Sequence, residues 1–338
     1  MKAVAYSETG GPEVLHVVER PVPEPGAGEL RVAVAVSGVN PTDWKARSGR
    51  RGGTLAFPQL VPGQDGAGTV DAVGDGVDPA RIGERVWLWE TAWQRADGTA
   101  QQYVVLPERQ AVPLGDVSFE VGASLGIPAL TAHRCLTVSA TGPEQLEPGA
   151  LDGLTVLVAG GAGAVGHAAI QLARWAGARV LSTVSSGEKA TLARAAGSDH
   201  VVNYREDDAV DRIRGHAPDG VDVIVELAPI ANAALDRAVL APNGTVAVYA
   251  SEGGDEFRTS VWSLMSANIR YQFVLVYTVP ARAKDQAVAD VSAAASAGAL
   301  PVGEAAGLPL HRFPLERTAD AHAAVERGAI GKVLIDVG

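Results

Sequence analysis

Short Val-rich runs dominate the first 120 residues of the chain. Residues 2–6, 14–18 and 30–36 are apolar, and glycine and proline separate them. This pattern predicts short β-strands. Residues 61–77 (VPGQDGAGTVDAVGDGV) place many glycines around an alternating stretch, which predicts a strand with bulges and tight corners. We therefore expect a small, irregular barrel here, with a flexible loop over 61–77 as the alternative.

From about residue 119 the pattern changes to apolar strands that alternate with helical periodicity. Val- and Leu-rich strands are predicted at 155–160 and 179–184, and further strand–helix units follow them. Such a run is typical of a mostly parallel, doubly wound sheet. The tail, residues 308–337, returns to strand–helix–strand and is expected to pack back on the first domain. The predicted fold class is α/β: a Rossmann doubly wound parallel sheet plus a discontinuous β-rich domain.

One strand-to-helix junction carries a candidate chemistry. The apolar run 155–159 breaks into GGAGAVG before a helical pattern begins. The N–H groups at the start of such a helix face open space and form a site for the pyrophosphate of a dinucleotide. A turn needed only for packing is the alternative, but the complete strand–turn–helix–strand unit favours the nucleotide. The residues predicted to bind it are Gly161, Gly163 and Gly166, which fit G-x-G-x-x-G, with Ala164 and Val165 between them.

The end of the next strand indicates which dinucleotide binds. Rossmann proteins that prefer NAD place Asp or Glu there to bind the ribose 2′-OH, whereas this strand runs into Ser185 and Ser186, with Lys189 after them. Hydroxyls and an ammonium suit a 2′-phosphate, which predicts NADPH. Glu188, close by, favours NADH if it turns toward the ribose. The serines also fit a helix N-cap and Lys189 a solvated helix residue, and both interpretations can hold together.

Composition limits the partners and the chemistry. The 338 residues suffice for two domains, and the net charge of −11, without a basic block, argues against a nucleic-acid surface. No run approaches the ~20 apolar residues of a membrane span. Cys135 is the one cysteine, which fits a reducing compartment, the cytoplasm. With one cysteine and seven scattered histidines, we expect no metal. No tyrosine has lysine four residues on, and G-x-S-x-G is absent.

Several motifs together carry a resemblance that covers the chain nearly end to end. They are GVNPTD (38–43), PGQDGAG (62–68), GIPALTA (126–132), the glycine turn, TVSSGEKA (183–190), VNY (202–204) and GKV (331–333). The chain resembles the zinc-independent quinone oxidoreductase (zeta-crystallin-like) family of medium-chain dehydrogenases/reductases. The resemblance implies a GroES-like substrate domain over 1–124 and a Rossmann NADPH-binding domain over 125–296. It also implies a return to the substrate domain over 297–338 and an active site in the cleft between the domains.

The resemblance also implies roles for single residues. Asn40 and Thr131 are the expected catalytic residues, near the nicotinamide and the substrate. Ser185, Lys189 and Tyr204 match the contacts of the 2′-phosphate. The predicted cofactor-binding set is completed by Tyr249 and Lys332. Without the family, Asn40 would be interpreted as an Asx turn before Pro41, and Thr131 as an ordinary residue at a helix N-terminus.

Two positions depart from the pattern of the relatives. Metal-dependent relatives have His-Glu in the PGQDGAG turn, where this chain has Gln64 and Asp65, and this change removes a ligand. His133 stands where this group usually has tyrosine. If its side chain reaches the cleft, it is a candidate proton donor; we favour the alternative of a core histidine packed within its helix.

These observations predict an NADPH-dependent oxidoreductase that transfers hydride to a quinone or another conjugated carbonyl without a metal. One alternative is an enoyl or 2-alkenal double-bond reductase of the same fold, and another is a non-catalytic NADPH-binding sensor. Residues 47–57 and 87–98 are the expected specificity loops. Arg270 to Val279 (RYQFVLVYTV) is predicted to be a late apolar strand. At a sheet edge it would be exposed, so we expect a homodimer in which it pairs with its copy.

Overall fold

The computed structural model describes residues 1–50, 52, 55–206 and 208–338. The strands are β1 (Lys2–Ala5), β2 (His16–Glu19), β3 (Glu29–Val39), β4 (Asp65–Val73), β5 (Arg85–Leu88), β6 (Tyr103–Pro107), β7 (Ala111–Pro113), β8 (Thr155–Ala159), β9 (Arg179–Val184), β10 (His200–Asn203), β11 (Val221–Glu226), β12 (Leu240–Val248), β13 (Arg270–Phe273), β14 (Leu310–Pro314) and β15 (Lys332–Asp336). The helices are α1 (Pro41–Arg47), α2 (Phe119–Leu136), α3 (Ala164–Trp175), α4 (Gly187–Ala195), α5 (Ala209–His216), α6 (Pro229–Val239), α7 (Val261–Met265), α8 (Ala281–Ser296) and α9 (Thr318–Glu326). Arg51, Gly53 and Thr54 of the predicted loop 47–57 lie outside the described residues, as does Asp207. Over the residues that are described, every helix is too short or too polar to cross a bilayer.

The chain divides into two compact units. Unit 1 consists of Met1–Ile127 and Leu310–Gly338, and unit 2 of Pro128–Pro309. The resemblance places these boundaries at 124/125 and 296/297, so residues 125–127 and 297–309 are assigned differently. Hydrogen bonds to α3 hold the second of these segments on unit 2: the Gln171 side chain donates to the carbonyl oxygen of Pro301 (3.0 Å) and His167 Nε2 lies 2.8 Å from that of Ala306.

The main sheet of unit 1 is built around the long strand β3. Among the described residues its order is β14-β15-β3-β4-β5-β7, and β6 also pairs with β3. Leu30, Val32 and Val34 are buried at alternate positions of β3, as the period of a strand with one face in the core requires. β4 approaches β3 so closely that a Cβ at Gly68 would overlap the carbonyl oxygen of Ala33. Gly66 and Gly68 therefore belong to a paired strand, whereas Gly63, Gly74 and Gly76 lie in the segments that flank it.

The C-terminal strand β15 closes this sheet against β3. The two strands run antiparallel, with Val333 opposite Val39 and Leu334 opposite Gly38. Lys332 directly precedes Val333, and Asn40 directly follows Val39, so these two residues come next to each other. A Cβ at position 38 would overlap the carbonyl oxygen of Ala123 and lie 3.1 Å from the Lys332 ammonium, so this position requires glycine. The register thus brings residues from opposite ends of the chain together at the end of β3.

Unit 2 contains the doubly wound parallel sheet. Within the described residues its order is β10-β9-β8-β11-β12-β13, with every neighbouring pair parallel. The central strands β8 and β11 are buried almost throughout, which explains why they read as continuous apolar runs without alternation. Together with the separate sheet of unit 1, this architecture confirms the predicted fold class. In parallel strands, the carboxyl ends meet at one edge, where ligands of such sheets bind.

The predicted strand from Arg270 to Val279 is wrong in its length. β13 ends at Phe273, and residues 276–278 form a short 3₁₀ turn. The reason is its neighbour: β12 ends at Val248, which pairs with Phe273, and the last bond runs from the Val274 N–H to the Val248 oxygen (2.8 Å). Beyond that point the described part of the chain offers no ladder partner. The expected position is confirmed, since β13 is the edge strand of the sheet.

Candidate functional site

In the glycine turn after β8, the packing of the protein requires glycine at two of the three motif positions but not at the third. A Cβ at Gly161 would overlap the Ser182 hydroxyl, and a Cβ at Gly166 would overlap the carbonyl oxygen of Gly160. A Cβ at Gly163, in contrast, would meet only the Gly160 oxygen, at an ordinary 3.5 Å. Close approach of a pyrophosphate is the known reason for glycine at this second position of the motif. Packing therefore explains Gly161 and Gly166 but not Gly163, as expected if a ligand approaches the backbone there.

The helix that follows this turn offers its backbone N–H groups. Gly163 is the N-cap of α3, with extended backbone (φ −83°, ψ 160°), and the described residues supply no side-chain cap. Ala164, Val165 and Gly166 form the first turn, whose N–H groups have no partner within the helix. Together with the helix dipole, such groups attract an anion. The predicted pyrophosphate site thus has the backbone geometry that it needs.

The carboxyl end of β9 brings two of the predicted phosphate contacts together. Lys189 Nζ donates to Ser185 Oγ at 3.2 Å, and Ser186 caps α4 by accepting the Lys189 N–H at 3.3 Å. Tyr204 lies close by at the end of β10, since its N–H donates to the Val184 oxygen (3.1 Å), and its side chain is 49% exposed. The helix-cap interpretation of the serines is thus seen at Ser186, and the contact of Ser185 and Lys189 with a 2′-phosphate stays a prediction.

Of the remaining predicted residues of unit 2, Tyr249 lies at the same carboxyl edge of the sheet, but after β12 instead of β9. Thr131 is buried within α2. Tyr249 follows β12 and donates its N–H to the Glu226 oxygen (3.0 Å), and burial raises the pKa of its phenol. His133 is buried, and its Nε2 lies 2.7 Å from Asp290 Oδ2. This bond joins α2 to α8, which favours the core interpretation of His133 over that of a proton donor.

In unit 1 a buried polar cluster surrounds Asn40. Lys332 Nζ donates to Asn40 Oδ1 (2.8 Å), and Asn40 Nδ2 donates to Asp65 Oδ2 (2.6 Å). The same Asp65 oxygen lies 3.4 Å from Lys332 Nζ, and its other oxygen accepts the Ile127 N–H (2.8 Å). Asp43 accepts the backbone N–H of Asn40 at 2.7 Å, so that Asn40 starts α1 in a capping arrangement. All four side chains are at most 5% exposed.

Burial and charge oppose each other in this cluster. Burial raises the pKa of Asp43 to about 7, although the Asn40 N–H lowers it. Burial also raises the pKa of Asp65, against the effect of the Lys332 ammonium and the Asn40 amide. The pKa of Lys332 is lowered by burial, and both carboxylates raise it. Burial thus disfavours the charged form of both carboxyl groups, and the Lys332 ammonium counteracts this effect at each of them.

Sequence reasoning missed Asp43 and Asp65 as members of this cluster. Both stand in the quoted motifs, but nothing local in either motif indicates that they meet. One signal was available: a carboxylate at the start of the apolar, glycine-rich strand β4 predicts a buried partner cation. Lys332, predicted to bind the cofactor, directs its ammonium at Asn40 and Asp65 instead of outward. Its contact with a cofactor stays a prediction.

The donors do not fit a zinc centre. Within the described residues, no three His, Cys, Asp or Glu side chains converge to hold a metal ion. Beside Asp65, the Lys332 ammonium already supplies a positive charge, at 3.4 Å from the carboxylate. Burial raises the pKa of Cys135, which disfavours the thiolate that zinc requires.

We expect Gly163→Ala to fold and to lose the dinucleotide. The added methyl group has room in the protein, so the free energy of unfolding should fall by less than about 1 kcal/mol, the cost of alanine at an N-cap. It would intrude on the pyrophosphate, so affinity should fall at least about tenfold, or ~1.4 kcal/mol. Titration of protein fluorescence with NADPH and a thermal melt measure the two effects. Gly161→Ala is the matched control: its added methyl group overlaps the Ser182 hydroxyl, so we expect its melting temperature to fall more than that of Gly163→Ala. Unchanged affinity in Gly163→Ala would contradict a pyrophosphate at this turn.

Comparisons with known proteins agree with this geometry. The family model "Alcohol dehydrogenase GroES-like domain" matches residues 26–116, and "Zinc-binding dehydrogenase" matches residues 164–293. The quinone oxidoreductase of Lama guanicoe is 32% identical over 340 residues, which cover 99% of this chain and 97% of that protein. The quinone oxidoreductase of Escherichia coli, solved with NADPH, is 25% identical with a TM-score of 0.81 and covers 99% of this chain and 100% of its own. An NAD-dependent alcohol dehydrogenase is 29% identical with a TM-score of 0.86 and full coverage of both chains. The chain belongs to the quinone oxidoreductase family of the medium-chain dehydrogenases/reductases.

Proposed function

We propose that this oxidoreductase uses NADPH to transfer hydride to a quinone or another conjugated carbonyl, without a metal. The observation that carries the proposal is the Ser185–Lys189 pair at the end of β9, beside a glycine turn with room for a pyrophosphate. In a family of oxidoreductases, these two features together support a dinucleotide site with the pyrophosphate at the turn and the 2′-phosphate after β9.

The choice of NADPH over NADH rests on charge. A 2′-phosphate needs donors and a cation, which Ser185 and Lys189 provide at 3.2 Å from each other. Glu188, the carboxylate that opposed this choice in the sequence, is exposed in the first turn of α4. The E. coli relative was solved with NADPH, which supports the choice, whereas an NAD-dependent alcohol dehydrogenase shares the fold. The cofactor preference is therefore the part to test first.

Asn40 is the residue that we assign to the reacting oxygen. Bound NADPH supplies the hydride, and the oxygen of the reduced quinone or enolate gains negative charge. An amide N–H that is held in place stabilises such an oxygen without a metal. Asn40 has a second N–H on Nδ2 beyond the one that Asp65 accepts, and no hydrogen bond among the described residues uses it. Thr131 stays a proposed contact near the nicotinamide.

An enoyl or 2-alkenal reductase is the second candidate function. The Asn40 amide suits the enolate oxygen of an enone as well as a quinol oxygen, so this geometry favours neither acceptor. A non-catalytic NADPH sensor needs no such donor. We place the reaction in the cytoplasm, in keeping with the single, buried Cys135.

We further propose a homodimer through the edge of the unit 2 sheet. β13 is an edge strand with unpaired backbone groups, and Phe273 at its end is 60% exposed. Several other large apolar side chains near it in the chain are also exposed: Val261, Trp262, Met265 and Leu275. Exposed apolar side chains around an open edge are typical of an interface. A second copy of the chain would cover them.

Lys189→Ala should weaken NADPH far more than NADH. Loss of an ion pair with a phosphate costs roughly 1.5–3 kcal/mol, or about tenfold to a hundredfold in affinity, and NADH has no phosphate there. Dissociation constants for both dinucleotides, measured by fluorescence titration, test this. Arg194→Ala is the control, since it removes the same charge from an exposed position of the same helix. Equal losses for both dinucleotides would contradict the phosphate role.

The wild-type protein should oxidise NADPH with quinones or enones as acceptors, and a chelator should not reduce the rate. The measurement is steady-state absorbance at the nicotinamide band, with a panel of 1,4-quinones, 2-alkenals and cyclic enones. Preference for one group of acceptors decides between the two candidate reactions. Tight NADPH binding without turnover of any acceptor would favour the sensor instead.

Phe273→Asp should convert a dimer into a monomer. A charge placed in the apolar interface would weaken association at least about tenfold, or ~1.4 kcal/mol. Size-exclusion chromatography with light scattering at micromolar concentration gives the mass. Val17→Asp is the control, because Val17 is also exposed on a strand but belongs to unit 1. A monomeric wild type would refute the proposed interface.

A further inference from the structure

Lys332 is almost completely removed from solvent. Its side chain is 1% exposed, and the ammonium ends between Asn40 Oδ1 (2.8 Å) and Asp65 Oδ2 (3.4 Å). A lysine that binds a cofactor phosphate from the surface would direct its ammonium to solvent in the free protein. The Lys332 ammonium instead contacts two side chains of its own unit. It can therefore influence a bound ligand only through Asn40 and Asp65.

The two partners of Asn40 leave its amide only one orientation. A lysine ammonium only donates, so the atom facing Lys332 must be the amide oxygen. An ionised carboxylate only accepts, so the atom facing Asp65 must be the amide nitrogen. A flipped amide would set donor against donor at Lys332 and acceptor against acceptor at Asp65. The pair therefore specifies where Nδ2 and its second N–H lie.

The fold supplies this pair from distant parts of the chain. Asp65 opens β4, and Lys332 opens β15, on the two strands that flank β3. Asp65 is itself fixed by the Ile127 N–H at 2.8 Å. Gly38 makes the space for the lysine, since a Cβ there would lie 3.1 Å from Nζ. Each contact that orients Asn40 is thus built on strand register and not on a mobile loop.

We propose that Lys332 and Asp65 are positioning residues that fix the Asn40 amide with its nitrogen as the donor. This inference rests on the proposed function, in which that donor stabilises the oxygen of the reduced acceptor. It assigns Lys332 to orientation of the donor in place of the predicted contact with the cofactor. The two roles differ in the kinetic constant that they control.

Lys332→Met tests the assignment, because methionine is an unbranched side chain of similar size that removes the donor. We expect kcat to fall by about tenfold to a hundredfold, since a displaced donor loses most of its effect. The KM for NADPH should stay within about twofold, because the affected amide serves the acceptor and not the phosphates. Weakened NADPH binding with unchanged kcat would instead support the cofactor contact and overturn the proposal.

A double-mutant cycle separates positioning from a structural role. Lys332→Met should reduce kcat strongly in the wild type and hardly at all in Asn40→Ala, because both changes remove the same donor. Equal effects in both backgrounds would overturn the proposal. Val333→Ala, the neighbouring core position on β15, is the stability control: its melting temperature should fall while kcat below the transition is retained.

Asp65→Asn keeps the experiment decisive if Lys332→Met does not fold. Asparagine keeps the size and one carbonyl acceptor for the Ile127 N–H, but presents a donor to Asn40 Nδ2. The same loss of kcat is expected, and wild-type kcat in folded Asp65→Asn would refute the inference. A wild type that turns over no acceptor overturns the proposed function and this inference together, whereas an active wild type with an active Lys332→Met overturns this inference alone.

Discussion

A lysine ammonium that is removed from water needs hydrogen-bond acceptors or a negative charge inside the protein. In unit 1 this requirement links the sheet to the candidate site. Lys332 is compensated by Asp65 and by the amide oxygen of Asn40. Removing one partner of such a buried pair leaves the other charge uncompensated, which is far more costly than losing a surface pair. The pairing of β15 with β3 and the orientation of Asn40 therefore depend on the same contacts of Lys332.

The proposed dinucleotide site of unit 2 follows a different principle. Its recognition elements are backbone groups and a short stretch after β9, all set by the local sequence. Gly161 and Gly166 are required by the packing of the turn, and Gly163 is free of that requirement. One site is thus encoded by neighbours in the chain, and the other by residues that meet only after the sheet of unit 1 has closed.

This difference explains what the sequence could predict. The parallel sheet, the glycine turn and the serine–lysine pair are local patterns, and the structure contains all three. The length of β13 was not predictable from its apolar run, because it depends on where β12 ends. Asp43 and Asp65 were overlooked, since their partner Lys332 lies near the other end of the chain. Sequence motifs identify candidate residues, but the strand register determines which of these residues contact each other.

The discontinuity of unit 1 has a consequence for synthesis on the ribosome. The first 127 residues emerge well before residues 310–338, and all of unit 2 lies between them. At about 5–20 residues per second, the roughly 180 intervening residues take on the order of 10–40 s. During this interval β3 has an open edge and Asp65 is without its cation, and by its end unit 2 has the whole of its own chain. Vectorial synthesis therefore favours completion of the nucleotide-binding unit first, with the nascent N-terminal sheet exposed to chaperones until β15 arrives.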